Sequence, residues 1–237
     1  MSTIGIIGSG NIGSAVARLA TNAGFTTVIA NSRGPASLTD VVADLGPSAA
    51  AGTVEEAASA DIVVVAVPLT VTLTLPPGLL AGKIVLDSSN YYPSRDGRIA
   101  ELDDNSTTTS ELVQAHLAES RLVKAFNNIL AHHIPELARP AGADDRSALA
   151  LAGDHQDAVT AAATFIDALG FDTVHTGPLS DSWRLEPETG GYTQLYLVDP
   201  SVPYEEIMTT ASAPLPADGL RRALADVPRI DVGRRTA

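Results

Sequence analysis

The chain of 237 residues contains no cysteine and only two lysines, and acidic residues outnumber basic ones. Without cysteine it has no disulfide, no thiol nucleophile and no thiolate metal ligand. The formal net charge of −13 argues against nucleic acid or an anionic membrane as a partner. No apolar run reaches the roughly 18 residues of a membrane-spanning helix, and no secretion signal precedes the first predicted strand. We therefore expect a cytoplasmic protein.

A short apolar run followed by three spaced glycines is the most informative feature of the chain. Residues 4–13 read IGIIGSGNIG, so Gly8, Gly10 and Gly13 form a GxGxxG pattern between a predicted strand and a predicted helix. In this setting the glycines permit a tight turn, close approach of a dinucleotide pyrophosphate, and packing of the helix on the strand. Free N–H groups at the helix start then face the anion. A glycine-rich turn that binds nothing is the alternative.

The second informative feature lies where the next predicted strand, residues 25–30, ends. About twenty residues after the glycines, an NAD-specific site places a carboxylate that accepts a hydrogen bond from the ribose 2′-OH. This chain has Asn31, Ser32 and Arg33 there instead. A guanidinium suits a 2′-phosphate, and the two neutral side chains add hydrogen bonds. We therefore expect NADP(H) as the coenzyme; an ordinary polar turn with a solvated arginine is the alternative.

Strand and helix signals alternate through the first half of the chain. Further strands are predicted at residues 49–51, 61–67, 83–87 and 121–126, a helix at 36–45, and a helix start at the capping-box pattern of Thr53 and Glu56. The continuous apolar run at 61–67 is typical of a parallel strand that helices cover on both faces. The predicted fold is therefore α/β, a Rossmann-type doubly wound and mostly parallel sheet.

A break in the pattern at residues 140–145 divides the chain. We expect residues 1–140 to form an NADP-binding Rossmann domain and residues 141–237 to form an extension that supplies the second-substrate side. The extension is predicted to hold a strand at 147–152, a helix at 154–169, a strand at 171–175, an irregular segment after 177 and a helix at 217–226. The first three elements make one βαβ-like unit, which could extend the sheet.

No side chain stands out as a catalytic acid or base. Lys83 opens a predicted strand and Lys124 lies within another, and no tyrosine is followed four residues later by lysine as in short-chain reductases. His132 and His133 are adjacent, so they cannot share one helix face, and we interpret both as residues of a helix surface or a turn. We therefore predict no metal site and no catalytic residue, which suits a second redox cofactor as substrate because its reduction needs little protonation by the protein.

The loops at the carboxyl ends of the later strands complete the predicted ligand site, because ligands of doubly wound sheets lie at that edge. These loops are residues 67–70, 87–93 and 125–128, and by position they would hold the nicotinamide half. Their proline, serine and asparagine residues are also ordinary turn formers, which is the alternative interpretation.

Several segments resemble the NADPH-dependent deazaflavin (coenzyme F420) reductase family. The similar segments are residues 7–13, 31–33, 65–68, 124–128 and 177–186. The likeness covers about residues 4–187, and the last two segments are the most specific to the family. The resemblance implies a homodimer and direct hydride transfer between NADPH and the deazaflavin, with the extension forming the dimer contact.

The resemblance also assigns roles to individual residues. It implies that Ser9 to Ile12 hold the pyrophosphate, Ser32 and Arg33 hold the 2′-phosphate, and Val67 and Pro68 flank the nicotinamide. The full set of predicted cofactor-binding residues is Gly8, Ser9, Gly10, Asn11, Ile12, Gly13, Asn31, Ser32, Arg33, Val67, Pro68 and Asn90.

After Glu186 the sequence departs from the family pattern, which typically continues with an apolar helix. The segment here, residues 187–196 and a proline-rich tail, should help form the pocket of the second substrate. Because the deazaflavin side chain is acidic, the pocket needs cations. The candidates from the sequence are Arg184, Arg221 and Arg222.

Two other functions remain open at this point. One is an NADPH reductase of a small C=O or C=N substrate, which needs a proton donor such as Tyr192, Tyr196 or Asp181. The other is a non-catalytic NADP(H)-binding regulatory protein.

Overall fold

The computed structural model describes residues 2–235, and its centre is a single eight-stranded sheet with the order β3-β2-β1-β4-β5-β6-β7-β8. All neighbouring strands are parallel except β6 and β7, which are antiparallel. The strands are β1 (Thr3–Ile7), β2 (Thr26–Ala30), β3 (Ala49–Ala51), β4 (Ile62–Val65), β5 (Ile84–Asp87), β6 (Arg121–Lys124), β7 (Ala148–Gly153) and β8 (Asp172–His175). The doubly wound, mostly parallel sheet predicted from the sequence is confirmed.

Helices cover both faces of this sheet. They are α1 (Asn11–Asn22), α2 (Thr39–Leu45), α3 (Val54–Ala58), α4 (Leu69–Thr72), α5 (Pro93–Asp96), α6 (Ala100–Asp103), α7 (Thr109–His116), α8 (His133–Leu137), α9 (Gln156–Ala168) and α10 (Ala217–Ala225). Because side chains of a strand alternate between faces, Ile6 of β1 belongs to the core cluster that includes residues of α1, α8 and α9. Ile7 belongs to the cluster on the other face, which includes residues of α3, α4 and α7. Within residues 2–235, none of these helices has the length and apolar character to cross a membrane.

The order of strands reverses between β1 and β4, which lie side by side at the centre of the sheet. At such a switch point the connections leave in opposite directions, so a crevice opens beyond the carboxyl ends of the strands. The glycine turn after β1 and the loops after β4, β5 and β6 all lie at this edge.

The sequence predicted most elements within one or two residues. The capping box of Thr53 and Glu56 is present, with both of its reciprocal hydrogen bonds. Strands β4 and β6 each end two residues earlier than predicted, at Val65 and Lys124, and α9 begins two residues later than predicted, at Gln156. The helix predicted at 36–45 begins as a 3₁₀ turn, Pro35–Leu38, before α2.

The extension after residue 140 continues the same sheet. Strand β7 pairs with the end of β6, and α9 packs over β5 and β6 as well as over β7 and β8. Phe165 of α9 meets Phe25 edge to face at 5.4 Å between ring centroids; Phe165 belongs to the core that also contains Ile4 and Ile6, and Phe25 packs against that core. The predicted βαβ-like unit therefore extends the sheet, while the division of the chain into two domains at residue 140 stays a prediction.

Candidate dinucleotide-binding site

Two of the three glycines in the turn after β1 are required by the atoms around them. Gly8 has a φ of +115°, and a Cβ atom there would lie 2.3 Å from the carbonyl oxygen of Ala66. A Cβ atom on Gly13 would lie 1.9 Å from the carbonyl oxygen of Gly8. Since both contacts are with backbone, only glycine at position 8 lets the turn lie this close to the loop after β4, and only glycine at position 13 lets α1 lie this close to the end of β1.

Gly10 differs, because a Cβ atom there would meet nothing within 4 Å. It is the N-cap of α1, has no side chain to cap the helix, and has a φ of −75° that any residue adopts. No acceptor among residues 2–235 bonds the N–H groups of Asn11, Ile12 and Gly13. Open space next to unpaired N–H groups at a helix start fits the pyrophosphate of a dinucleotide.

Asn31 connects the glycine turn to the loop after β2. Its amide Nδ2 donates to Ser9 Oγ at 3.1 Å, and its Oδ1 accepts from the backbone N–H of Arg33 at 2.9 Å. A further hydrogen bond joins the same amide to Ser37 Oγ at 3.0 Å. The side chain of Asn31 is thus occupied in fixing the shape of both loops.

Ser32 and Arg33 stand on the surface just beyond this amide. The guanidinium of Arg33 makes no hydrogen bond, ion pair or ring contact with residues 2–235. Among the arginines that the structure describes, Arg222 is the one other whose guanidinium has no such contact. An unpaired guanidinium beside the loop where the ribose is expected fits a 2′-phosphate.

A cavity of about 300 Å³ lies at the carboxyl ends of β4, β5 and β6, next to the start of α1. Apolar side chains line one part of it and polar side chains the other. The apolar part includes Ile12, Val67, Pro68, Phe126 and Ile129, and the polar part includes Asn90, Tyr92, Arg95, Asn127, Tyr192 and Thr193. The predicted residues Val67, Pro68 and Asn90 therefore meet in one pocket with Asn11 and Ile12 of the glycine turn.

A buried ion pair lies beneath this pocket. Lys124 and Asp87 are partners in the register of β6 and β5, both side chains are fully buried, and Nζ lies 3.4 Å from Oδ2. Asp87 Oδ1 accepts from the N–H and Oγ of Ser89 at 3.0 and 2.6 Å, and Lys124 Nζ donates to the carbonyl oxygen of Ser89. The pair fixes the loop that carries Asn90. The sequence carried one signal for this, a charged residue at the end of each of two adjacent apolar strands.

The loop after β6 turns sharply to bring Asn127 against Asn90. Phe126 has a φ of +61°, a region that bulky residues adopt rarely and mostly at functional sites. Asn127 Nδ2 donates to Asn90 Oδ1 at 3.1 Å and to the carbonyl oxygen of Leu185 at 2.7 Å. Its Oδ1 and the Oγ1 of Thr193 are buried without a hydrogen-bond partner among residues 2–235. Unpaired buried polar atoms at a pocket are uncommon and fit a ligand site.

Two phenols meet on the polar wall of the pocket. The hydroxyls of Tyr92 and Tyr192 are 2.5 Å apart, and Asn90 Nδ2 lies 3.3 Å from the hydroxyl of Tyr192. The guanidinium of Arg95 stacks over the ring of Tyr92 at 4.9 Å and donates to the carbonyl oxygen of Asn90 at 2.7 Å. This wall contains a proton donor and a cation that a substrate in the pocket would meet.

Of the three proton donors considered from the sequence, only Tyr192 lines this pocket. Tyr196 is fully buried, its hydroxyl donates to the carbonyl oxygen of Ala148 at 2.9 Å, and burial raises the pKa of that phenol. Asp181 lies in the 3₁₀ helix Leu179–Leu185, outside the pocket lining.

The cations proposed from the sequence are also elsewhere. Arg184 stacks on Trp183 at 4.4 Å, Arg221 pairs with Asp218 at 2.6 Å, and Arg222 is exposed outside the pocket. Arg95 is the arginine that lines the pocket. Sequence reasoning missed it because Arg95 reaches the site through the fold of the loop after β5.

The interpretation of His133 as a surface or turn residue was wrong. His133 is fully buried at the start of α8, and no other side chain of residues 2–235 hydrogen-bonds either ring nitrogen. Burial and the neighbouring His132 lower the pKa of this imidazole, and Glu136 opposes that effect. His133 is the first residue of α8, whose Ile134 and Leu137 belong to the core of the sheet, and its ring lies 4.1 Å from that of His132 between centroids.

Comparison with known proteins identifies the family. The sequence model of the family described as NADP oxidoreductase, coenzyme F420-dependent, matches residues 3–91. The solved structure of the hypothetical protein SMa0349 from Sinorhizobium meliloti is 35% identical, covers 78% of this chain and 90% of that one, and has a TM-score of 0.69. The chain belongs to this family. As a member, it is an NADP-dependent oxidoreductase, as the sequence predicted.

Of two further relatives, one has a lower sequence identity and the other matches over a short segment. A candidate F420-dependent NADP reductase from Arthrobacter sp. FB24 is 22% identical over 77% of this chain and 87% of that one, with a TM-score of 0.64, which shows the shared fold. The protein YjhV of Escherichia coli K12 is 43% identical over 53 residues. That match spans 22% of this chain and 39% of YjhV.

Proposed function

We propose that this protein transfers a hydride between NADPH and a deazaflavin of the F420 type in the pocket beside the glycine turn. The observation that carries the proposal is the alignment of three features along one edge of the sheet. They are the open space at Gly10, the unpaired guanidinium of Arg33 and the half-apolar pocket next to Pro68. These features suit the pyrophosphate, the 2′-phosphate and the nicotinamide of one extended coenzyme.

The residues present fit this coenzyme, and each has a distinct task. The N–H groups of Asn11 to Gly13 would bind the pyrophosphate, and Ser32 and Arg33 would bind the 2′-phosphate. Val67 and Pro68 would bound one face of the nicotinamide. Bound NADPH supplies the hydride, and the chemistry of its transfer belongs to the cofactors.

The protein's contribution to the reaction would be to orient two rings and to exclude water. Ile12 and Phe126 supply an apolar surface for this, and Asn90 is held in place by Asn127 and the Asp87–Lys124 pair. Asn127 Oδ1 and Thr193 Oγ1 would gain partners from a bound ligand. Arg95 would face the acidic part of the deazaflavin, although it also pairs with Asp96 at 2.8 Å.

Stopped-flow absorbance at 340 nm tests the acceptor. We expect loss of NADPH absorbance to accelerate when oxidised F420 is added, and the reverse reaction to be measurable with reduced F420. No acceleration by F420 together with normal NADPH binding would reject the deazaflavin and leave the coenzyme assignment intact.

A second candidate is an NADPH-dependent reductase of a small C=O or C=N substrate, and the phenol pair favours it. Tyr192 lines the pocket with its hydroxyl against Tyr92 and Asn90, which is suitable for donating a proton to the substrate oxygen or nitrogen. Hydride transfer between two cofactors has no such requirement.

Replacing Tyr192 therefore separates the two candidates. If a carbonyl or imine is the substrate, we expect Tyr192→Phe to lower kcat about 100-fold or more, since a positioned proton donor contributes roughly that much. If the deazaflavin is the acceptor, the same variant should retain most of its kcat. Steady-state rates with F420 and with a panel of small carbonyl compounds measure both, and Tyr196→Phe, whose hydroxyl lies outside the pocket, is the control.

Three further assignments complete the proposal. Tyr192 and Thr193 in the pocket wall support residues 141–237 as the second-substrate side. The family likeness suggests a homodimer, which light scattering of the purified chain would test. Tight NADPH binding without turnover of either acceptor class would favour a regulatory protein instead.

A further inference from the structure

We infer that residues 227–235, here called the strap, hold the two polar walls of the pocket in position through the buried guanidinium of Arg235. One wall is the loop with Asn90 and Tyr92, and the other is the segment that ends at Tyr192. The inference rests on the proposed function, because the pocket is the site of hydride transfer. Arg235 itself lies outside the pocket lining, so it acts as a positioning residue.

The guanidinium of Arg235 bridges the two walls directly. Arg235 is 1% exposed, which is rare for arginine. Nη1 donates to the carbonyl oxygen of Tyr91 at 2.9 Å, and Nη2 donates to the carbonyl oxygen of Pro187 at 2.9 Å. Tyr91 stands between the pocket residues Asn90 and Tyr92, so the first of these bonds fixes their backbone.

Two carboxylates offset the buried charge. Glu186 Oε2 and Glu188 Oε2 each lie 4.0 Å from a nitrogen of Arg235. Glu186 is itself buried, and its Oε1 accepts from the N–H of Thr109 at the start of α7 at 3.0 Å. Removing the guanidinium would leave a buried carboxylate with one fewer cation and two carbonyl oxygens without donors, which is unfavourable.

The second wall is stiff between Pro187 and Tyr192. The N–H of Thr189 donates to the carbonyl oxygen of Glu186, and the N–H of Tyr192 donates to that of Thr189, both at 3.2 Å. A Cβ atom on Gly191 would lie 2.1 Å from the carbonyl oxygen of Arg184, so the turn packs closely against the backbone of Arg184. A displacement of Pro187 would therefore reach Tyr192.

Glu188 is strained in the same turn, with a φ of +66°. A non-glycine residue in this region is energetically unfavourable and persists only where surrounding contacts impose it. The bond from Arg235 to the preceding carbonyl group is one such contact.

The strap docks on the first half of the chain, beside α6. Asn105 Nδ2 donates to the carbonyl oxygen of Ile230 at 3.0 Å, and Arg98 donates to the carbonyl oxygens of Gly233 and Arg235, also at 3.0 Å. Val232 joins the core cluster on this face of the sheet. The strap thus runs from α10, which packs on β7 and β8, back to the loop after β5.

The strap and the glycine turn therefore have separate roles: the strap positions the walls around the second substrate, and the glycine turn binds the coenzyme. Arg235 contacts neither Gly8 to Gly13 nor Arg33, so the proposed grip on the coenzyme phosphates does not depend on it. It sets the place of Tyr92 and Tyr192, which bound the space for the second substrate. Loss of Arg235 should therefore impair the binding and turnover of the second substrate and leave the binding of NADPH unchanged.

Arg235→Ala compared with Arg234→Ala tests the inference. The side chain of Arg234 is 87% exposed and pairs with Asp231, so it is an adjacent control without contact to either wall. In the full-length protein with NADPH, we expect Arg235→Ala to lower kcat/KM for the second substrate about 10–100-fold, as for a misplaced substrate-positioning group. The Kd of NADPH should be unchanged, and Arg234→Ala should alter neither quantity.

Two measurements separate positioning from a general loss of stability. Guanidinium ion, at a concentration far below that which unfolds the protein, should restore part of the activity of Arg235→Ala, and Arg235→Lys should retain part of it. Phe165→Leu, which removes the ring contact with Phe25 in the core on the other face of the sheet from Val232, serves as a destabilised variant with the strap contacts intact. It should show neither the KM effect nor the rescue.

Amide hydrogen exchange measures the effect of the strap on the two walls without any enzymatic turnover. Arg235→Ala should speed exchange in residues 88–93 and 187–193 and leave residues 8–14 as in the native chain. Unchanged exchange in both walls, or equally faster exchange throughout the chain, would overturn the inference. If Arg235→Ala does not fold, the same exchange measurement on Arg235→Lys decides the inference by the same criterion. If the native protein reduces no acceptor, the proposed function fails while the exchange result still decides the role of the strap.

Discussion

At the scale of single residues, Arg33 is unusual because most arginines of the described chain are held by carboxylates or carbonyl oxygens. Arg18, Arg121 and Arg146, for example, each pair with aspartate. Arg33 stands exposed without such a partner, at the end of the strand where the ribose of a dinucleotide is expected. A guanidinium that is free in the protein keeps its full capacity for a phosphate.

We predict that Arg33→Ala weakens NADPH binding about 10–100-fold and leaves NADH binding nearly unchanged, since one hydrogen bond to a charged group contributes roughly 1.5–3 kcal/mol. Titration calorimetry with both coenzymes measures the difference. Arg222→Ala, which removes an equally exposed and unpaired arginine, should bind both as the native chain does. Equal losses for NADPH and NADH would assign Arg33 to something other than the 2′-phosphate.

His133 illustrates the opposite situation, a titratable group that the fold keeps from water. Its folded-state pKa lies below the ordinary 6.5, so the unfolded chain takes up this proton at a higher pH than the folded chain does. Below about pH 6.5 the unfolded state therefore binds more protons, and stability falls as the pH drops through that range.

We predict that His133→Phe, of similar shape, reduces the loss of stability between about pH 7 and pH 5 relative to the native chain. Urea unfolding at several pH values in this range measures it, because carboxylates contribute equally to both proteins. Asn22→Ala, a change at an exposed position without a titratable group, should leave the native pH dependence in place. A pH profile that His133→Phe does not alter would mean that the ring takes up its proton over the same pH range in the folded and unfolded states.

At the scale of elements, the start of α1 separates glycines needed for folding from a glycine needed for binding. Gly13 lets the helix touch the backbone of Gly8, whereas Gly10 borders empty space. The same residue type thus has two physical reasons within one turn.

We predict that Gly13→Ala lowers both stability and NADPH affinity, because its methyl group would overlap a carbonyl oxygen. Gly10→Ala should keep the native Tm, since its backbone conformation suits alanine, and should weaken NADPH binding by filling the space for the pyrophosphate. Thermal unfolding with and without NADPH distinguishes the two. A native affinity in Gly10→Ala would place the pyrophosphate elsewhere.

The elements that the sequence predicted well are those with a strong local signal. The apolar runs, the glycine turn and the Thr53 capping box depend on neighbours within a few residues, and all of them are present. The polar wall of the pocket could not be predicted in this way, because Tyr192 meets Asn90 across about a hundred residues of chain. Arg235 was missed for the same reason, since its partners lie 144 and 48 residues away.

At the scale of the whole molecule, one core joins the two halves of the chain. The cluster that contains Ile4 and Val64 of the central strands also contains Leu149 of β7 and Phe165 of α9. A boundary at residue 140 therefore separates pieces of sequence that share buried surface.

We predict that heat unfolds the apoprotein in a single cooperative transition. Exposing the face of α9 would also expose β5 and β6, so neither half can open alone at low cost. Differential scanning calorimetry measures this as agreement between the calorimetric and van't Hoff enthalpies. Two resolved transitions would instead support independent folding of residues 1–140.

The amide of Asn31 hydrogen-bonds both Ser9 and the backbone of Arg33, so the proposed pyrophosphate site and the proposed 2′-phosphate site are structurally coupled. Their binding free energies should not add: in a double-mutant cycle that combines Ser9→Ala with Arg33→Ala, the coupling energy should differ from zero. A change of coenzyme preference in this chain would then require a redesigned pair of loops rather than a single exchanged residue.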